Sequence, residues 1–138
     1  MLLLVAMAAG AETISDVTIG NLVYSLDTDT KVATVTGYDS SNKPTDVVIP
    51  NTIEYGGNYS VTTIGEWAFC NCTSLASVNI PNSVTTIGES AFASCESLAS
   101  IDIPNSVTTI GEGAFYHCKS LASIDIPHSV TTIGVGAF

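Results

Sequence analysis

Apolar residues recur with one spacing along the second half of the chain. The interval is 23 residues between successive members of the series Ile64, Ile87, Ile110 and Ile133. Repeats of roughly 20–29 residues with regular leucine and isoleucine are typical of proteins built from stacked coils, in which each unit packs on the next. Within one unit, the apolar positions expected to point into the core are Leu98, Ile101, Ile103, Val107, Ile110, Ala114, Phe115 and Cys118.

The first half of each unit has the pattern of a short strand. Polar and apolar residues alternate over residues 100–103, which predicts one buried face and one face in water. Pro104 follows, and Pro81 and Pro127 take the same place in the neighbouring units. Proline has no N–H to donate to a neighbouring strand, so we expect the pairing to stop there.

The second half of each unit is predicted to be a second strand followed by a helical turn. Residues 107–110 are a short extended piece, and Gly111 comes after it, at a place that suits positive φ or close approach of another backbone. The spacing of the apolar residues in the segment 114–118 predicts one helical turn. The predicted fold is a repeat solenoid, with short parallel strands and one helical turn per 23-residue coil.

The complete pattern is L-x-x-I-x-I-P-x-x-V-x-x-I-G-x-x-A-F-x-x-C, and it covers about residues 47–138. It resembles the repeat of the BspA-like leucine-rich-repeat family, found in surface and secreted proteins of host-associated bacteria and some mucosal protozoa. The resemblance implies an extracellular solenoid used in adhesion or binding, with no enzymatic activity in the repeats. It carries over no functional residues, because the motif records packing positions.

The first eleven residues have the features of a secretory signal peptide. Residues 2–9 form a short apolar run, and Ala9-Gly10-Ala11 is an A-x-A pattern suited to cleavage before Glu12. The run is too short to span a bilayer, which needs about 20 apolar residues. No lysine or arginine precedes it, so residues 1–11 are a signal peptide whose start is incomplete or whose amine supplies the charge. The alternative is a buried first strand.

Residues 12–46 lack the 23-residue period and are predicted to form an N-terminal β cap. Two β-rich runs, 17–26 and 32–38, are separated by the polar segment 27–31, which predicts a hairpin. The end of a stack of coils needs an atypical unit to cover its apolar surface. In the first coil, eight extra residues around 55–59 are expected to bulge outward.

The last coil is predicted to be truncated and uncapped. Val135 replaces the glutamate of earlier coils, and the sequence ends at Phe138. An uncovered apolar end is expected to fray or to self-associate.

Charge restricts the partners. Thirteen acidic and three basic residues give a formal net charge of −10. Such a chain is repelled by a phosphate backbone and by an anionic membrane surface, so we expect neither nucleic acid nor membrane insertion after signal removal.

Four cysteines are candidates for redox or metal chemistry. Cys72, Cys95 and Cys118 share one repeat position, so their sulfurs are expected to stack at about 5 Å. Their side chains would point in parallel into the core, which favours buried free thiols over a disulfide. Cys70 lies at a different position and is expected to be exposed and reactive.

The remaining polar residues do not assemble a catalytic or metal motif. Asp102 and Asp125 would lie one coil apart, a separation that also occurs in retaining glycosidases, but no cleft is predicted to desolvate either carboxylate. The segment 27–32 begins like a calcium loop but has lysine where an aspartate or asparagine is needed. We therefore expect no enzyme, no cofactor and no metal site.

The predicted function is a secreted or cell-surface binding or adhesion module for a protein or glycan partner. The alternative is a structural spacer that displays another domain. In the binding hypothesis the partner contacts the concave face through outward-pointing strand residues of three coils. These six residues, called the polar strip below, are Ser77, Asn79, Ser100, Asp102, Ser123 and Asp125.

Overall fold

The computed structural model describes residues 4–8 and 11–138, which fold into short β-strands joined by turns. The N-terminal strands are β1 (Leu4–Ala8), β2 (Ala11–Ile19), β3 (Leu22–Asp27) and β4 (Val32–Tyr38). The first coil contains β5 (Asp46–Val48), β6 (Thr52–Glu54) and β7 (Asn58–Ile64). The later coils contain β8 (Ser77–Asn79), β9 (Thr86–Ile87), β10 (Thr109–Ile110) and β11 (Thr132–Ile133).

Nine of these strands form one sheet, in which the pairing changes from antiparallel to parallel at β4. Neighbours from β1 to β4 pair antiparallel, whereas β4, β7, β9, β10 and β11 pair in parallel. Strand β6 pairs with β7 as an antiparallel hairpin, and β5 and β8 form a separate two-stranded parallel sheet. The parallel register pairs Thr86 with Thr109 and then with Thr132, so each coil advances the chain by one 23-residue repeat. The stacking predicted from the period is confirmed.

The core lies between the two β-sheets and follows the predicted apolar positions. Seven of the eight positions of the 98–118 unit are buried, and Cys118 is half-buried. One aromatic ring per coil stacks on the next with interplanar angles of 1–8°. Ring centroids are 6.0, 5.4, 5.4 and 5.6 Å apart along the series Tyr38, Phe69, Phe92, Phe115 and Phe138. Tyr38, from the end of β4, therefore begins the ladder of the repeats.

The glycine that ends each Val-Thr-Thr-Ile piece allows close approach of two backbones. Gly88 and Gly111 do not adopt positive φ. A Cβ atom at Gly111 would lie 2.5 Å from the backbone nitrogen of Glu89, and one at Gly88 would lie 2.8 Å from the carbonyl carbon of Gly65. Of the two reasons given for this glycine, close packing is the correct one.

The predicted helical turn is wrong, because the segment is a series of β-turns. Ser90 and Ser94 have positive φ, which interrupts a right-handed helix. The N–H groups of Ala91, Ala93 and Cys95 bond to carbonyls three residues earlier. The intervening N–H groups, of Ser90, Phe92 and Ser94, donate to carbonyls of the next coil at 2.7–2.8 Å. Every second N–H is thus used between coils, whereas a helix would direct all of them along the chain.

The strand predicted over residues 100–103 keeps its alternation but not its pairing. Ile101 and Ile103 are buried and Asp102 is exposed, as expected. Only the equivalent segments of the two preceding coils form strands, β5 and β8, and no backbone hydrogen bond joins residues 76–80 to residues 99–103. From β8 onward, backbone hydrogen bonds therefore join the coils on two sides only. One is the turn side, formed by residues 90–95 and their equivalents, and the other is the Thr-Ile side, formed by strands β9, β10 and β11.

The N-terminal residues form a meander. The predicted hairpin between β3 and β4 is confirmed, with Asp27 opposite Val32. The run 17–26 is two strands and not one, because Gly20, at φ +62°, and Asn21 make a turn that pairs Ile19 with Leu22. Two residues of the predicted cleavage pattern, 9 and 10, lie outside the described residues, so the signal peptide stays a prediction. The boundary of the cap at residue 46 also stays a prediction.

Candidate binding surface

The six residues of the polar strip are all exposed. In the two central coils they alternate with buried Val78, Ile101 and Ile103, so the strip forms the outer face above the core. In the following coil Ile124 is half-buried and Ile126 is exposed, so Ser123 and Asp125 lie on a less covered part of the core.

Four of the six strip residues line one open groove of about 540 Å³, called the strip groove below. These are Ser77, Asn79, Ser100 and Asp102. The groove lies where the strip segment of one coil is not hydrogen-bonded to that of the next. Ser123 and Asp125 are outside this lining, and Ser123 instead lines a separate groove of about 320 Å³ with Ile124 and Phe138.

The strip begins one coil earlier than predicted. Asp46 and Val48 lie opposite Ser77 and Asn79 in the β5–β8 register and line the same groove. The signal was present in the sequence, since Asp46 precedes Val-Val-Ile-Pro as Ser77 precedes Val-Asn-Ile-Pro. The eight-residue insertion after Ile49 hides this correspondence, because it breaks the 23-residue count.

The Asp46 carboxylate is held in place by hydroxyl groups. Ser77 Oγ donates to Asp46 Oδ1 at 2.5 Å, and Thr45 Oγ1 donates to Asp46 Oδ2 at 3.1 Å. These hydrogen bonds, that from Ser77 first, lower the pKa of Asp46 from its ordinary value. The carboxylate is therefore ionised near neutral pH and fixed in orientation at the edge of the groove.

The strip groove is acidic. Asp46 and Asp102 line it, and none of the three lysines, Lys31, Lys43 and Lys119, does so. A groove lined by charges of one sign attracts ligands of the opposite sign and repels anions. The local charge agrees with the formal net charge of −10.

The candidate calcium loop has a structural role. Asp27 Oδ1 accepts hydrogen bonds from the backbone N–H groups of Asp29 and Thr30, at 2.9 and 3.0 Å. These bonds, chiefly that from Thr30, lower the Asp27 pKa and close the turn between β3 and β4. Among the described residues no group of three or more histidine, cysteine or acidic side chains could hold a metal ion.

The cysteines are free and unequally buried. Cys72 and Cys95 are completely buried, and Cys95 Sγ donates to the Phe69 carbonyl at 3.1 Å. Cys118, expected to be buried, is half-buried, unlike its equivalents in the two preceding coils. Cys70, expected to be exposed, is half-buried as well, and burial raises its pKa.

Comparison with known proteins identifies the repeat. The family described as "BspA type Leucine rich repeat region" matches residues 38–138 in six copies. The match begins at Tyr38, the first ring of the aromatic ladder. No curated protein is similar enough in sequence to count as a match.

Several solved structures are similar to this chain. A leucine-rich repeat protein from Bacteroides capillosus ATCC 29799 is 38% identical with a TM-score of 0.78, over 86% of this chain and 87% of that one. One from Bacteroides ovatus ATCC 8483 is 35% identical with a TM-score of 0.80, over 86% of this chain and 31% of that one. The chain thus spans about a third of the Bacteroides ovatus protein. The T. pallidum leucine-rich repeat protein TpLRR is 28% identical with a TM-score of 0.67, over 88% of this chain and 65% of that one.

Proposed function

The chain belongs to the BspA-type leucine-rich-repeat family, and from this premise we propose that it is a secreted or cell-surface binding module. Its partner is a protein or a glycan in an adhesive contact. The apolar run and A-x-A pattern of residues 1–11 support secretion. No helix in the described part of the chain is long and apolar enough to cross a membrane.

The observation that carries the proposal is the strip groove. It is open, and exposed polar side chains, among them Asn79, Ser100 and Asp102, line it above a floor of buried apolar residues. Hydroxyl, amide and carboxylate groups in such a surface offer both donors and acceptors to a broad partner. An open groove on a flat face suits a macromolecule better than a small substrate, which is usually enclosed. We accordingly expect no enzymatic activity.

A structural spacer is the second candidate, and the two hypotheses differ in what they require of the strip. A spacer needs only the buried ladders, so substitutions of exposed strip residues would have no effect on its role. A binding module needs the strip side chains themselves. Exposed charges there would affect the association rate and its salt dependence more than the final affinity.

The test uses charge reversal at Asp102 and Asp125 with a matched control on another face. Binding of the purified protein is measured by surface plasmon resonance on an array of extracellular-matrix proteins and glycans, at low and physiological salt. For any probe that the unmodified chain binds, the variant Asp102→Lys/Asp125→Lys is expected to have a lower association rate constant. The control Glu89→Lys/Glu112→Lys makes the same charge change at two exposed glutamates of the turn face.

Equal losses in the two variants would mean that net charge alone is responsible, and the strip would be rejected as the site. Unchanged binding of the strip variant would reject it as well. Absence of binding by the unmodified chain across the array would favour the spacer hypothesis. Circular dichroism of each variant verifies that the fold is intact.

Self-association is a further expectation for the last coil. Ile133, Val135 and Phe138 are exposed, Val135 to 81%. Exposed apolar groups of this kind favour contact with another apolar surface. Sedimentation velocity over a range of protein concentrations measures it, and a monomer at all concentrations would contradict it.

A further inference from the structure

The second surface of interest is the free edge of strand β5. In the described part of the chain, β5 pairs with β8 on one side only. Thr45 O accepts from Ser77 N, and Ile49 N donates to Asn79 O, so the groups of alternate residues face β8. The N–H and C=O groups of Asp46 and Val48 therefore point away from β8, and none of them has a hydrogen-bond partner among the described residues.

A groove of about 300 Å³, called the β5 groove below, lies beside this edge. Its near wall is the segment 46–50 and its far wall is the turn between β2 and β3 with Leu22 and Tyr24. The meander thus continues the large sheet but leaves the small sheet uncovered on this side. Val48 is 74% exposed at the edge.

We propose that the β5 groove takes an extended segment of a partner polypeptide, which adds a strand to β5. A free edge is a template for pairing, and addition of a peptide strand is a recurring mode of recognition. The donors and acceptors of Asp46 and Val48 supply the backbone bonds, and Val48 supplies an apolar cross-strand neighbour. Pro44 and Pro50 bound the edge, so the added ladder is short.

Charge selects among such peptides. Asp46 is the one ionisable acid among the groove-lining residues that the structure describes, and no lysine lines the groove. Its carboxylate is fixed by Ser77 and Thr45 and is ionised near neutral pH. The peptide therefore carries a lysine or arginine beside an alternating apolar pattern. Asp46 and Val48 also line the strip groove, but the added strand uses their backbone groups on the side away from β8.

The experiment is an NMR titration of the ¹⁵N-labelled chain with the capped pentapeptide Lys-Val-Thr-Val-Lys. We expect shifts concentrated at the amides of Asp46 and Val48, and none at Ser123 or Asp125. The same peptide N-methylated at its three central residues cannot form the ladder and should not produce them. No shift at either amide with peptide at ~1 mM, or equal shifts with the methylated peptide, would overturn the proposal.

Two variants separate the backbone from the side chain. Val48→Pro removes a free donor while leaving the Thr45 and Ile49 bonds to β8, and proline is tolerated where the N–H of an edge strand faces solvent. It should weaken binding about tenfold, since one net hydrogen bond of about 1.4 kcal/mol corresponds to that factor. Val48→Ile keeps the N–H and the apolar, β-branched side chain, and it should bind with the affinity of the unmodified chain.

If Val48→Pro does not fold, the methylated peptide decides the question alone. Equal affinity of the proline variant would overturn the proposal. A wild-type dimer that Val48→Pro converts to a monomer would also overturn it, because the occupant would then be a second copy of the chain. Asp46→Asn should weaken binding of the lysine peptide but not of an analogue with threonine in place of each lysine. Equal weakening for both peptides would refute the claim that Asp46 selects a basic residue.

Discussion

Replacement of Gly111 by alanine should be among the most destabilising single-methyl changes in the chain. The added Cβ would lie 2.5 Å from the nitrogen of Glu89 and 2.6 Å from the carbonyl carbon of Gly88. Both are backbone atoms of the preceding coil, so no side chain can rotate to make room. Carbon atoms pack at about 3.5 Å, so the two coils must move apart by about 1 Å at this point.

The magnitude follows from what that separation breaks. Gly111 N donates to Ile87 O at 2.8 Å, and Thr108 N donates to Thr85 O at 2.8 Å. A shift of about 1 Å takes both beyond hydrogen-bond range, and each is worth about 1 kcal/mol. Overpacking adds about 1–3 kcal/mol. The expected loss is about 3–5 kcal/mol, against total stabilities of about 5–15 kcal/mol for single domains.

The assay is urea unfolding followed by far-ultraviolet circular dichroism, with hydrogen exchange at Gly88 and Gly111 to detect separation of the coils. A graded series provides the controls, because the nearest atom to the added Cβ is 2.8 Å away at Gly88, 3.0 Å at Gly65 and 3.8 Å at Gly37. Gly37 has ordinary φ, so Gly37→Ala should change stability by less than about 0.5 kcal/mol. If Gly111→Ala unfolds at the same urea concentration as Gly37→Ala, close backbone approach is not the reason for this glycine.

Three further predictions concern the turns and the buried ionisable groups. Ser90→Gly should raise stability by up to about 1 kcal/mol in urea unfolding, because Ser90 has φ +51° and glycine adopts that conformation without strain; a loss would contradict this. With a thiol reagent at pH 8, Cys70 should react first and Cys72 and Cys95 only on denaturation, and a disulfide-linked mass before reduction would be contrary evidence. Burial raises the pKa of Tyr24 and of Cys95 to about 12, so their stabilising contribution is complete below about pH 8.5 and is lost as pH rises towards 12. The free energy of unfolding, measured by urea unfolding at each pH, should fall by at most about 1.4 kcal/mol per pH unit for each group. Cys95→Ala should make this fall smaller between about pH 8.5 and 10.

The sequence predicts the repeat and its core well because both depend on spacing alone. Ile101, Val107 and Phe115 are buried as their positions require, and Pro104 follows the strip segment as expected. The helical turn fails for a physical reason. The spacing of Ala114, Phe115 and Cys118 fits a helix, but it cannot show whether the intervening N–H groups bond along the chain or to the next coil.

The candidate site could be predicted only in part. Alternation around Asp102 places its side chain outside, and the structure agrees. The grooves could not be predicted, because they depend on which strands pair. The amino-acid sequence does not distinguish Ser77–Asn79, which pairs with β5, from residues 100–103, which do not pair with β8. The free edge of β5 is likewise a property of the arrangement, since it requires the meander to end beside the small sheet without covering it.

The way the coils are joined explains why this face can carry function. The turn side and the Thr-Ile side carry the hydrogen bonds between coils, and the aromatic ladder fills the space between them. From β8 onward the strip side carries no backbone bond between coils, so its outer side chains can change without disturbing the stack. In the proposed binding function, fold and recognition therefore use different residues of one repeat. A substitution at Asp102 should alter binding without altering stability, and one at Gly111 should do the reverse until the coil separates.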